Sequence, residues 1–295
     1  MHESVLVDEI SRFVKKKDNA VILDCTLGSG GHTKKILDTL GASVTVIGLD
    51  QDEDAIKRSK ERLAGYGDAV LYRNCNFVLL DTVLSDLAVQ GIDACIMDIG
   101  VSQDQLTEPE RGFSFLREGP LDMRMDRSQK MSAYDVVNSY SEDSLRTIIR
   151  KYGEERYAGR IAHMIVSARR EKPIETTSAL AHLVKRASRS RSFSRIHPAT
   201  RTFQALRIEV NKELDYLEEG LDKVLPFLND EGIMCVISFH SLEDRIVKLR
   251  FRQWAREGQV EVLTKKPITA SEEEIARNPH ARSAKLRVAK RSLHE

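Results

Sequence analysis

The sequence predicts an α/β fold with a parallel, doubly wound sheet and an inserted, mainly helical subdomain. Short apolar segments typical of buried strands alternate with helical segments through the first hundred residues. Three of these strands end in an acid, at Asp24, Asp50 and Asp98. The alternation stops after Asp98 and returns only at Gly232. Connections in α/β units are usually far shorter, so this interval must hold a subdomain of its own.

Hydrophobic spacing locates the individual elements. It predicts strands at 20–24, 44–50, 69–73, 93–98 and 232–239, and helices at 33–40, 54–63 and 77–87. Two further strands, at 260–263 and 286–289, are expected to close the sheet as an antiparallel pair. Ligands of such sheets bind outside the carboxyl ends of the strands, which is where the three acids lie.

The insertion divides the chain into a discontinuous body and a continuous subdomain. Apolar residues at one-face helical spacing predict helices from 134 to about 187. A long helix from about 199 to 228 is expected to return the chain to the sheet. We therefore place the body at 1–108 and 198–295 and the helical, basic subdomain at 109–197.

The charges are distributed unevenly although the formal net charge is only +1. Residues 146–207 carry 15 Lys or Arg against 4 Asp or Glu, and residues 276–295 carry 6 against 1. These segments contribute +11 and +5, which leaves −15 on the remainder. Two interpretations stay open for the basic segments: a surface for an anionic polymer, or solvated loops without a partner.

Other features bound the class of protein. The four cysteines have no Cys-x-x-Cys spacing, and no His, Asp or Cys cluster has the spacing of a metal site. The N-terminus is charged where a signal peptide is apolar, and no stretch approaches the roughly 18–20 apolar residues of a membrane span. We expect a cytoplasmic protein without metal or membrane association.

The turn after the first strand, from Gly28 to His32, is the first candidate binding site. Its glycines allow a close approach of the backbone to a ligand, and the following helix offers N-terminal amides to an anion. Asp50 closes the next strand, where an acid accepts hydrogen bonds from the ribose hydroxyls of a nucleoside cofactor. Its alternative role is to cap the helix that starts near Glu53.

Asp98 and His240 each end a later strand. A carboxylate at Asp98 would lie beside the cofactor pocket, where a transferred group meets its acceptor, although it could instead cap local amides. His240 could be a base, a metal ligand, a base-stacking group or a structural residue. No cysteine follows the strand that ends at Asp98 in an exposed turn, which disfavours a covalent cysteine mechanism.

Long motifs along nearly the whole chain resemble the bacterial 16S rRNA (cytosine-N4)-methyltransferase family, known as RsmH or MraW. They are Gly28–His32, Glu110–Phe115, Gly119–Met125, Tyr152–Arg156, His197–Arg207, Phe239–Arg245 and Arg282–Arg287. The resemblance implies a class I, Rossmann-like S-adenosylmethionine (SAM) methyltransferase. The implied substrate is a cytosine in the decoding centre of the small ribosomal subunit.

By matching position, the resemblance also implies site residues. The implied SAM contacts are Gly30, Gly31, His32, Asp50, Phe77, Asp98 and Gln105, and Asp98 is the implied catalytic residue. Basic side chains of the insertion and tail would hold rRNA phosphates: Arg189, Arg191, Arg195, Arg201, Arg282 and Arg287.

This chain departs from the family at two places. The family usually has Arg where Ser29 stands, and a Ser-Pro pair where Gln103 and Asp104 stand. Two other functions stay open: a methyltransferase with another acceptor, such as cytosine C5 or a protein side chain, and a ribosome-assembly factor that binds SAM and rRNA without turnover.

Overall fold

The computed structural model describes residues 4–15, 17–41, 43–188 and 197–293. These residues form two compact units, which are described separately below. The first comprises residues 1–100 and 214–295, and the second comprises residues 101–213. The boundaries expected from the sequence were 108/109 and 197/198, so the second unit extends further in both directions.

The first unit is built on a seven-stranded sheet. Its strands are β1 Val21–Asp24, β2 Thr45–Asp50, β3 Val70–Asn74, β4 Ile92–Asp98, β5 Leu228–Ser238, β6 Val260–Val262 and β7 Lys285–Arg291. They lie in the order β3-β2-β1-β4-β5-β7-β6. The first five strands are parallel, and β7 runs antiparallel to both β5 and β6. The predicted antiparallel closure is therefore confirmed.

The helices are numbered along the whole chain. They are α1 Val7–Phe13, α2 Gly31–Leu40, α3 Glu53–Arg62, α4 Leu80–Asp86, α5 Gln103–Thr107, α6 Ala133–Ser139, α7 Glu142–Gly153, α8 Ala158–Arg169, α9 Thr177–Ala187, α10 Ala199–Asn211, α11 Glu213–Val224, α12 Ser241–Arg256 and α13 Glu272–Arg277. Short 3₁₀ turns complete the described chain, among them Phe77–Leu79 and Pro279–Ser283.

Alternating strand residues bury both faces of the sheet. In β4, Ile96 belongs to one apolar cluster, whereas Cys95 and Met97 belong to another. Residues of α1, α2 and α3 pack into the first cluster, and residues of α4, α11 and α12 pack into the second. Strands buried on both faces are continuously apolar, which explains why the sequence predicted them well.

The second unit has its own helical core. Apolar residues of α6, α7, α8, α9 and α10 form this third cluster. The predicted long helix at 199–228 is wrong, because Lys212 adopts a left-handed backbone (φ 50°) and separates α10 from α11. Phe203 and Leu206 of α10 belong to the core of the second unit, so this helix is part of the insertion. No described helix combines the length and apolar character required to cross a membrane.

Candidate functional site

The glycine-rich turn joins the end of β1 to the start of α2. Gly28 and Gly30 have positive φ angles of 54° and 75°, a region that favours glycine. A Cβ on Gly30 would lie 2.8 Å from Leu63 Cδ1, and one on Gly31 would lie 1.8 Å from Ser4 Oγ. Within the part of the chain that the structure describes, no side chain caps α2. Its first N–H groups are therefore placed to bind an anionic part of a ligand.

Asp50 ends β2 beside this turn. Its Oδ2 accepts the Gly28 N–H at 2.8 Å, and its Oδ1 accepts the Asp52 N–H at 2.9 Å. Burial raises the pKa of Asp50 to about 6, although both hydrogen bonds act in the opposite direction. Asp52 caps α3 by accepting the Asp54 N–H. The helix cap that was the alternative role for Asp50 is therefore provided by Asp52. Each Asp50 oxygen keeps a lone pair that can accept a hydrogen bond from a ligand hydroxyl.

Phe77 begins the short turn after β3, and α11 fixes the position of its ring. A Cβ on Gly220 would lie only 2.5 Å from Phe77 Cε2 and 3.3 Å from Met97 Cε. Only glycine at position 220 leaves room for the ring where it lies. Sequence analysis did not single out Gly220, because contact with a residue far away along the chain leaves no local signal.

Asp98 ends β4, on the opposite strand face from Met97. Its side chain is 23% exposed, and its Oδ2 lies 3.9 Å from His32 Nδ1. The Oδ1 atom is buried and has no hydrogen-bond partner among the described residues. Burial, together with the Asp24 and Glu243 carboxylates, raises the pKa of Asp98 to about 6, while His32 opposes the rise. The hydrogen-bonding capacity of one carboxylate oxygen is therefore unused by the described residues.

The N-terminal segment reaches the site through His32. The Val5 carbonyl oxygen lies 2.8 Å from His32 Nε2, and the Leu6 N–H donates to Glu274 Oε1 at 2.7 Å. His32 is only 5% exposed. Sequence analysis missed both this segment and the helix α1 that follows it.

A guanidinium lies at the turn even though the chain has Ser29 there. Arg62, at the end of α3, places its Nη1 3.3 Å from Ser29 Oγ. This contact was not predicted from the sequence, since it joins residues 33 positions apart.

His240 has a structural role at the start of α12. Its Nδ1 accepts the Glu243 N–H at 3.4 Å, while Glu243 Oε2 accepts the N–H groups of Phe239 and His240. This reciprocal arrangement is a capping box. Of the four roles considered for His240, the observed contacts support the structural one.

Gln105 belongs to the second unit and is buried there. Its Oε1 accepts the Ser102 N–H at 3.0 Å, and its own N–H donates to Ser102 Oγ at 3.2 Å. These bonds form a capping box at the start of α5. The hydroxyl of Ser102 thus orders a segment that lacks the Ser-Pro pair of the family.

The basic residues expected to bind RNA differ in their surroundings. Arg282 is exposed on the turn Pro279–Ser283, and Arg201 is 52% exposed in the second unit. Arg287 is buried, and its Nε donates to Asp244 Oδ1 at 2.7 Å. The structure does not support a phosphate contact for Arg287, because its guanidinium is held inside the first unit. Arg189, Arg191 and Arg195 lie outside the described residues.

The strand order and the antiparallel β7 define the class I SAM-dependent methyltransferase topology. The order reverses between β1 and β4, and the turn Gly28–Gly31, Asp50 and Asp98 follow strand ends at or next to this point. Open α/β sheets bind their ligands at such a switch point. The sequence had predicted a doubly wound sheet, and the family resemblance had implied the class I fold.

Comparison with known proteins supports the same assignment. The model of the MraW methylase family matches residues 1–292. Two relatives of this chain are named ribosomal RNA small subunit methyltransferase H. The protein from Sulfurihydrogenibium sp. (strain YO3AOP1) is 50% identical to this chain, over 98% of this chain and 99% of the relative. The protein from Clostridium botulinum (strain Kyoto / Type A2) is 45% identical, over 98% of each chain. A solved rRNA methylase from Streptococcus thermophilus is a distant likeness, at 11% identity and a TM-score of 0.46 over 99% of each chain. The protein therefore belongs to the MraW methylase family.

Proposed function

We propose that this protein transfers a methyl group from SAM to the N4 amine of a cytosine in the decoding centre of 16S rRNA, within the small ribosomal subunit. The observation that carries the proposal is the buried Asp98 Oδ1, which lacks a partner among the described residues. An amine donates hydrogen bonds, so this oxygen offers the contact that an amine requires. The names of the relatives support small-subunit rRNA as the substrate.

The turn and the strand ends fit SAM as the methyl donor. The uncapped N-terminus of α2 suits the carboxylate of the methionine moiety, and Asp50 suits the ribose hydroxyls. Phe77 offers an aromatic face to the adenine. When bound, SAM supplies an electrophilic methyl group on a sulfonium. The acceptor must then be held in line with that methyl group.

Asp98 would perform that task. The lone pair of the cytosine amine is delocalised into the ring, so the free base is a poor nucleophile. A hydrogen bond from the amine to a carboxylate favours the geometry in which the lone pair can attack, and bonds to charged groups contribute about 1.5–3 kcal/mol. With a pKa of about 6, Asp98 is mainly ionised at pH 7.5. Acceleration would come from positioning and electrostatics rather than from a covalent intermediate.

The cysteines argue against methylation at cytosine C5. That reaction needs a thiolate nucleophile. Cys25, Cys95 and Cys235 are buried, and burial raises the pKa of Cys25 and Cys235. Burial also raises the pKa of Cys75, and the Asp50 carboxylate adds to this rise, although the Arg73 guanidinium acts in the opposite direction. A thiol kept protonated cannot act as that nucleophile.

Basic residues of both units support an RNA partner. Arg282 and Arg201 are exposed, and each unit contributes one of the two basic segments, 276–295 and 146–207. Contacts of this kind are made to phosphates and weaken as salt rises. The target base would have to be unpaired or flipped out to reach a buried carboxylate.

The test is methyl transfer in vitro to small subunits that lack the modification. Purified full-length protein is incubated with isotopically labelled SAM and subunits, and rRNA nucleosides are identified by mass spectrometry. We expect labelled N4-methylcytosine at one decoding-centre position. Asp98→Asn should lower the rate about 100-fold or more. Asp93→Asn is the matched control, because Asp93 lies at the other end of β4, where it pairs with Lys17.

Each alternative gives a different result. Labelled 5-methylcytosine, or label in ribosomal protein, would replace the proposed acceptor. Binding of SAM and subunits without any labelled product would favour an assembly factor. Full activity of Asp98→Asn would remove Asp98 from the mechanism.

A further inference from the structure

The hydrogen-bonding of His32 fixes which of its ring nitrogens can exchange a proton. Its Nε2 lies 2.8 Å from the Val5 carbonyl oxygen. A carbonyl oxygen only accepts hydrogen bonds, so Nε2 must carry the hydrogen in both the neutral and the charged ring. The Nδ1 atom is therefore the position that gains or loses a proton.

This Nδ1 faces the proposed acceptor site. It lies 3.9 Å from Asp98 Oδ2, while the other oxygen of Asp98, Oδ1, has no partner among the described residues. The imidazole thus lies next to the carboxylate that the proposed function places against the acceptor amine. A distance about 1 Å shorter would make the His32 contact a hydrogen bond.

We propose that His32 is the positioning residue behind Asp98 that takes up the proton released by the acceptor amine. This inference rests on the proposed function. The nitrogen lone pair forms the new N–C bond while the C–S bond breaks and leaves its electron pair on sulfur. The methylated nitrogen then gives one proton to the Asp98 carboxylate. That same proton passes from the carboxyl group to His32 Nδ1, so that Asp98 is again a carboxylate and His32 is an imidazolium.

The charges around the pair favour this direction of transfer. Two further carboxylates face Asp98, from Asp24 at the end of β1 and from Glu243 in the first turn of α12. They would stabilise an imidazolium once it forms. The site is therefore arranged to hold one proton transiently.

The decisive variant is His32→Gln. Gln can still donate to the Val5 carbonyl, but it cannot accept a proton at neutral pH. We expect the single-turnover rate at saturating SAM to fall about 10–100-fold. Because His32 is also an implied SAM contact, the dissociation constant for SAM is measured by calorimetry as the second readout, and we expect it to rise by a smaller factor than the rate falls. His163→Gln is the matched control, since His163 pairs with Glu142 on the surface of the second unit.

The pH profile separates proton uptake from a structural role. In the wild type, both Asp98 and His32 must lose a proton, so the logarithm of the rate should rise with a slope approaching 2 on the acid side. In His32→Gln the slope should approach 1. A variant that is merely less well folded would lower the rate without changing the slope.

A measurement on the unmodified protein keeps the inference testable if the variant does not fold. Nitrogen-15 NMR of labelled histidine should identify His32 as the Nε2–H tautomer. An Nδ1–H tautomer would overturn the proposal, as would a rate equal to that of His163→Gln. Loss of SAM affinity by the same factor as the rate would make His32 a donor-site residue instead. A wild-type protein that forms no N4-methylcytosine would refute the proposed function itself.

Discussion

Replacing Gly220 with Ala tests whether α11 sets the position of the Phe77 ring. The added Cβ would lie 2.5 Å from Phe77 Cε2 and 3.3 Å from Met97 Cε, whereas carbon atoms in contact are about 3.5–4.0 Å apart. Met97 is fully buried and has no space to withdraw into, while Phe77 is half-buried. The ring therefore has to move outward by about 1 Å.

Two opposing effects set the change in the free energy of unfolding. Overpacking costs about 1–3 kcal/mol, and replacing Gly by Ala inside a helix returns about 1 kcal/mol. We expect a net loss of about 0–2 kcal/mol. A base stacked on an aromatic ring gains about 1–3 kcal/mol, so displacement of the ring should weaken SAM binding about tenfold.

Urea unfolding and calorimetric titration with SAM measure these two quantities. Gly159→Ala is the matched control, because the nearest atom to its added Cβ is Arg146 Cδ at 3.6 Å, an ordinary contact. This control should be up to about 1 kcal/mol more stable and should bind SAM normally. If Gly220→Ala gains as much stability as the control and binds SAM like the wild type, the reasoning is refuted.

Three further predictions concern charged residues. The pKa of Asp98 is raised from 3.8 to about 6 in the folded protein. Between these two pH values the native state binds a proton that the unfolded state releases, so the free energy of unfolding falls as the pH rises through this range. Asp98→Asn should therefore raise the free energy of urea unfolding by about 1–3 kcal/mol at pH 8 but not at pH 4; equal effects at both pH values would contradict this. Arg287→Ala should cost about 3 kcal/mol in the same assay, because it leaves the Asp244 carboxylate without its 2.7 Å partner; weaker RNA binding at unchanged stability would indicate a phosphate contact instead. Arg282→Ala should leave stability within about 0.5 kcal/mol and should lower the slope of log affinity for small subunits against log salt by about 1; an unchanged slope would exclude Arg282 from the RNA surface.

The sequence predicted the fold because its signals are local. Strands buried on both faces are continuous apolar runs, and β1, β2, β3 and β4 differ from their predicted bounds by only a residue or so. Where the signal was weaker, the prediction was less accurate. The expected helix at 77–87 is a short turn followed by α4, and the expected helix at 199–228 breaks at Lys212. Such a break depends on packing around a single residue, which periodicity does not record.

The positions of the candidate site residues followed from the same signals, but their partners did not. An acid that ends a buried strand is expected at the carboxyl edge of a parallel sheet, and Asp50 and Asp98 both lie there. Their hydrogen bonds and the separation of Asp98 from His32 depend on contacts between elements that lie far apart in the chain. A structural role was the expected one for a lone His at a strand end, but its specific form, a capping box with Glu243, is visible only in the structure.

The sequence by itself determined the fold class, the placement of Asp24, Asp50 and Asp98 at one edge of the sheet, and the segments that carry the positive charge. These properties follow from the spacing of apolar residues, from the residues that end the strands and from the charge composition. Each of these can be read from short stretches of the chain or summed over it. Only the tertiary structure decided that Asp98 keeps one oxygen without a partner among the described residues, that His32 turns its Nδ1 toward it, and that Arg287 is buried with Asp244. Burial and pairing depend on which distant side chains meet, and that is fixed only when the elements pack.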